Sequence, residues 1–179
     1  MDIVVKRWLA GVAAVTVAAG GAAALTVPAL AEAGAEDPPS LVEDYSYPGA
    51  AAILDQQNIK LISGDGNIVL ADCTDPPDGD ITFIYVYTSD LSVNDGDAVC
   101  FQVLGTPGVL AMEVPAVFEI RGDGRIAGSG DGHDMTAVVK PQGGAAKTIE
   151  LDPDGSTPVG IGTSPPGAPT TLLKLTARG

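Results

Sequence analysis

The chain has 179 residues, a formal charge of −14, and nine Lys and Arg against 23 Asp and Glu. Such acidity repels nucleic acid and anionic lipid, because phosphate recognition needs clustered basic side chains and none occurs here. With 45% hydrophobic residues, two cysteines and one histidine, the composition suits one domain with its own core and leaves little material for a Cys/His metal site.

The first residues carry a targeting pattern. Lys6 and Arg7 precede an uncharged run from Trp8 to Leu30, and Ala29-Leu30-Ala31 supplies small residues where signal peptidase requires them. Residues 1–31 are therefore expected to be a cleaved secretory signal. About 20 apolar residues also suffice to span a bilayer, so an uncleaved anchor is the competing reading. The weakly hydrophobic Ala, Gly and Thr content and the well-formed cleavage site favour cleavage. Removal would take away Asp2, Lys6, Arg7 and the single tryptophan, Trp8, leaving 22 acidic and seven basic residues in 148. The expected location is extracellular, in an oxidising compartment, with no membrane attachment after cleavage.

Residues 32–46 are acidic and proline-bearing, which predicts a flexible N-terminus, and residues 47–179 are expected to form the domain. Pro48 to Gln57 predicts the one short helix, with Ala50-Ala51-Ala52-Ile53-Leu54 as helix formers and Asn58 near its end. Strands follow. Asn58–Ser63 and Asn67–Cys73 flank Gly64-Asp65-Gly66 and read as a hairpin. Ile81–Thr88 has the highest strand propensity in the chain. Ala98–Leu104 and Val109–Val114 are separated by a turn at Gly105–Gly108. Pro115, before Val117–Arg121, argues for an edge, a bulge or a sheet switch. Thr136–Lys140, Lys147–Leu151, Pro158–Ile161 and Leu172–Thr176 complete the set. Short strands broken by Gly, Pro and Asp predict an all-β, single-domain β-sandwich of jelly-roll or Ig-like type with one short N-terminal helix.

Cys73 and Cys100 are the only cysteines and are expected to form a disulfide. Closing a loop of about 28 residues contributes roughly 3.5 kcal/mol in the chain-entropy treatment. Asp-Gly occurs six times, and each pair reads as turn punctuation between strands.

Three constellations bear on function. Asp75, Asp78, Asp80, Asp95 and Asp97 place oxygen donors close together, so calcium is the one cofactor the sequence suggests, with solvated turns as the alternative. Neither loop fits the EF-hand pattern. Tyr85 and Tyr87 alternate with Phe83 on one face of a strand, and Tyr45 and Tyr47 repeat that spacing upstream. Exposed, Tyr45, Tyr85 and Tyr87 would stack on sugar rings or anchor a protein; buried, they would be core, which the apolar opposite face makes the preferred reading. His133 lies beside Asp134 in a Gly/Asp-rich loop near Ser129, but adjacency in one loop does not make a Ser-His-Asp triad, and an exposed loop histidine is expected. Arg121-Gly122-Asp123 spells an integrin-recognition tripeptide that a turn explains equally well.

The runs Tyr47–Leu54 and Ile59–Gly66, with Cys73, Cys100-Phe101, Glu113-Val114-Pro115 and Glu119–Gly124, resemble small secreted actinobacterial proteins of uncharacterised function. The resemblance implies secretion and no site residues. The expected function is a secreted, non-catalytic extracellular interaction or envelope-associated module whose partner is a protein or polysaccharide. The alternatives are a small secreted hydrolase using carboxylates and an inhibitor or accessory factor of a secreted enzyme.

Overall fold

A computed structural model describes residues 45–179, apart from Asp78, Ile126, Ala127 and Ser129. The expected leader and residues 32–44 lie outside the described residues. Tyr45 and Ser46 already belong to the fold: Gly64 N–H donates to the Tyr45 carbonyl at 3.0 Å, and Ser46 bridges to Ser63.

The helix α1 spans Ala50–Gln57 and stops at Asn58, which adopts the left-handed region (φ 54°) and donates its N–H to the Leu54 carbonyl. Asparagine accepts this conformation at low cost, so the stop is written locally. With eight residues, α1 is too short to persist alone. Ala50 and Ile53 pack it onto the core.

Nine strands follow: β1 Lys60–Gly64, β2 Ile68–Ala71, β3 Ile84–Thr88, β4 Val99–Val103, β5 Gly108–Arg121, β6 Met135–Pro141, β7 Lys147–Glu150, β8 Ser156–Pro158 and β9 Thr170–Ala177. The described residues are thus all-β and form a single domain with one short helix. Hydrogen bonding joins the strands in one open antiparallel sheet, in the order β2-β4-β3-β5-β9-β6-β7, with β1 and β8 each pairing β5. Two separate sheets with jelly-roll or Ig-like connections are not the observed pattern.

The 14-residue β5 explains why. Its first half pairs β1 and β9, and its second half pairs β3 and β8. The change of partners falls at Pro115-Ala116, where the register slips and Ala116 takes φ 51°. Pro115 has no N–H to give, and its carbonyl is taken by the Thr88 hydroxyl at 2.6 Å. The partner switch expected at Pro115 is therefore present, inside one continuous strand.

The expected hairpin of Asn58–Ser63 with Asn67–Cys73 does not form. β1 pairs β5, whereas β2 pairs β4. The cause lies at Asp65, whose carboxylate accepts from Asn67 N–H and from Val109 N–H, both at 3.0 Å. That side chain stitches the connection to the start of β5 instead of closing a tight turn.

The core gathers Ile59, Ile68, Ile84, Val86, Phe101, Leu110, Met112, Ile120, Leu172 and Leu175, all with 0% exposure. Each such side chain contributes about 1.5–3 kcal/mol by leaving water. In β3 the burial alternates: Ile84, Val86 and Thr88 are buried, whereas Tyr85 and Tyr87 are half-buried. The tyrosines therefore belong to the outer face, contrary to the preferred core reading. Their opposite neighbours suffice to hold the strand in place.

A tyrosine cleft beside the disulfide

Cys73 and Cys100 form the expected disulfide, with Cα atoms 5.4 Å apart. Cys100 on β4 stands opposite Ala71 on β2 and Tyr85 on β3, and Tyr85 in turn stands opposite Arg121 on β5. Ala71, Cys100, Tyr85 and Arg121 thus form one row across the outer face, at about 4.8 Å per strand.

The disulfide fastens the segment that leaves β2. There Asp72 closes a small turn, accepting from the Thr74 N–H at 2.9 Å and the Thr74 hydroxyl at 2.8 Å. These two bonds, the backbone one first, hold the Asp72 carboxyl below its ordinary value. The opposite wall comes from the β3–β4 connection. Val93, fully buried, anchors it, and a 3₁₀ turn over Asn94–Gly96 follows, with Asp95 at φ 55°. Asn94 donates its side-chain N–H to the Ala98 carbonyl at 2.8 Å.

Between these walls lies a cleft of about 680 Å³, within the range typical of small-ligand sites. Tyr85, Tyr87, Asp72, Asp97, Asn94 and Gln57 line it, with the disulfide at its side. The two tyrosine rings lie nearly parallel, 15° between planes and 6.3 Å between centroids. Phe83 meets Tyr85 edge-on and Phe118 leans on Tyr87, so the pair is braced at both ends. Among the described residues the hydroxyls of Tyr85 and Tyr87, the Gln57 amide and the Asp97 carboxylate have no hydrogen-bond partner within the protein. An aromatic wall ringed by unspent polar groups is suited to binding a flat, hydroxyl-rich molecule.

Of the residues singled out from sequence, Tyr85, Tyr87 and Asp97 meet in this cleft, whereas Tyr45 does not line it. Tyr45 is 60% exposed, next to the end of β1. Tyr47 turns inward, and its hydroxyl accepts from Leu70 N–H at 2.9 Å. Gln57, Asp72 and Thr74 are not singled out by the sequence patterns, and Asn94 stands out only beside Asp95 and Asp97 as an oxygen donor; the Asp-x-Thr spacing beside Cys73 is the signal for Asp72 and Thr74.

Among the described residues the expected calcium donors do not converge. Arg125 donates to the Gly79 carbonyl at 2.7 Å and to the Pro77 carbonyl at 2.8 Å, placing a guanidinium on oxygens that a cation in this loop would need. Asp75, Asp80 and Asp95 are exposed, and Asp78 lies outside the described residues. Among the described residues no three His, Cys, Asp or Glu side chains converge as metal ligands.

The Gly/Asp loops before β6 and after β7 hold a buried polar knot. Asp123, 0% exposed, accepts from the His133 N–H at 2.8 Å and from His133 Nδ1 at 2.6 Å. Asp154, 6% exposed, accepts from Gly130 N–H at 2.6 Å and Gly132 N–H at 2.9 Å. The backbones are pressed together so closely that a Cβ on Gly122 or Gly132 would collide with the Pro153 carbonyl. His133 is therefore bound to Asp123 and half-buried, not the exposed loop residue expected. Its partner is not Asp134, and Ser129 lies outside the described residues. Among the described residues no hydroxyl or thiol is bonded to the second ring nitrogen. Burial of Asp123 also removes the carboxylate that integrin-type recognition of Arg121-Gly122-Asp123 would need.

No protein-family model matches this chain, and no curated protein is similar enough to count as a relative. Among the described residues no helix is long and apolar enough to cross a membrane. The disulfide is compatible with an oxidising, extracellular setting.

Proposed function

We propose that this protein is a secreted, non-catalytic extracellular module that binds polysaccharide through the Tyr85–Tyr87 cleft. The observation that carries the reading is the parallel, braced tyrosine pair, half-exposed and bordered by unsatisfied polar groups. Side chains used only for packing would turn inward, as Ile84 and Val86 do on the same strand. The targeting pattern and the disulfide support an extracellular, envelope-associated location.

The test is co-sedimentation of the purified protein with insoluble chitin, cellulose and peptidoglycan. At least one polymer should retain it, and the double variant Tyr85→Ala/Tyr87→Ala should weaken retention at least about tenfold, the loss of a typical binding anchor. Retention that ignores the double variant would contradict the proposal.

A further inference from the structure

Resting on that reading, we infer that the cleft takes a glycan bearing a free, protonated amine, an unacetylated hexosamine, whose ammonium group sits at the Asp72–Asp97 end of the tyrosine wall. The charge distribution carries the argument. Among the described residues the charged side chains lining the cleft are Asp72 and Asp97. Both residues are exposed, and neither belongs to any of the ion pairs Lys60–Glu113, His133–Asp123 and Arg178–Glu150. Thr74 engages one Asp72 oxygen and leaves the other open.

A neutral sugar would only donate hydroxyl hydrogen bonds to these two exposed carboxylates and would bring no counter-charge. An ammonium group supplies one, and the negative face of a tyrosine ring attracts it further. Acidic sugars are disfavoured by the same carboxylates and by the net charge of −14. Arg121, opposite Tyr85 on β5 and outside the lining residues, gives the site a direction. It repels an ammonium, so the amine points toward Asp72 and Asp97 and the uncharged part of the chain toward β5. A lysine side chain would satisfy the carboxylates too, but it offers no flat ring for two nearly parallel tyrosines.

Calorimetric titration of the secreted protein with three probes at pH 6 separates the possibilities: a glucosamine oligomer, an N-acetylglucosamine oligomer of equal length, and a lysine-rich peptide of equal charge. The glucosamine oligomer should bind at least about tenfold tighter than its acetylated counterpart, a difference of about 1.4 kcal/mol. That advantage should vanish in Asp72→Asn/Asp97→Asn and persist in Asp134→Asn, which removes a like charge outside the cleft. Equal affinity for the two oligomers overturns the inference while the polysaccharide reading stands. Binding of neither oligomer overturns the inference, and the co-sedimentation assay then decides the polysaccharide reading by itself. Tight binding of the peptide alone, unaffected by Tyr85→Ala/Tyr87→Ala, would replace the glycan with a basic protein partner.

Discussion

Replacing Asp123 by alanine tests the buried knot. The carboxylate accepts two hydrogen bonds from His133, at 2.8 and 2.6 Å, with no exposure to water. Bonds to a charged group are worth about 1.5–3 kcal/mol each, so removing the acceptor threatens about 3–6 kcal/mol. The His133 side chain is 29% exposed and regains water at Nδ1, whereas its backbone N–H stays enclosed. The net loss expected for Asp123→Ala is therefore about 3–4 kcal/mol, or about 12–15 °C in melting temperature for a domain of this size. Asp123→Asn keeps one acceptor oxygen in place and should lose only about half as much. Reversible urea unfolding of the purified protein, followed by circular dichroism, measures both. If Asp123→Ala lies within about 0.5 kcal/mol of the parent protein, the scatter of ordinary surface changes, the knot does not hold the loops as described.

Further outcomes follow from other parts of the fold. Ala116→Gly relieves a positive φ of 51° and should stabilise the protein by about 1 kcal/mol in the same urea assay. Loss of the disulfide in Cys73→Ser/Cys100→Ser should cost about 3.5 kcal/mol and loosen the Asp72–Thr74 wall, visible as faster amide exchange there. The Asp72 carboxyl, observed by carbon NMR, should titrate below 3.8, its ordinary value, and Thr74→Val should move it only part of the way back, because the stronger backbone bond remains. A group depressed in this way adds stability above its unfolded value and loses it as pH falls through the folded one, so the turn should loosen only in acid.

The fold was legible where local chemistry decides it. Asn58 ends the helix, Pro115 marks the place where β5 changes partners, and the two cysteines, expected to pair, do so. Strand pairing was less visible, because it depends on contacts between distant residues. The Asp65 carboxylate reaching Val109 is such a contact, and it turned an apparent hairpin into two strands with different neighbours. The Asp-Gly pairs show the same limit. Asp95-Gly96 is the left-handed turn that its composition suggests, with both residues at positive φ. Asp123-Gly124 and Asp154-Gly155 look identical in sequence, yet their carboxylates are buried and hold other loops. The tyrosine stripe specified a shared face but not which face, since Ile84 and Val86 opposite are also apolar. Burial settled that point and brought Asp72 and Asn94, more than 20 residues apart, to one cleft.

The most direct measurement of the central claim is an amide-nitrogen NMR titration of the purified protein with the polysaccharide fragment that binds best. Binding at the cleft predicts shifts concentrated at Gln57, Asp72–Thr74, Tyr85–Tyr87 and Asn94–Ala98, and their disappearance in Tyr85→Ala/Tyr87→Ala. Shifts centred on the Asp123–His133 loops, or none at millimolar ligand, would contradict it.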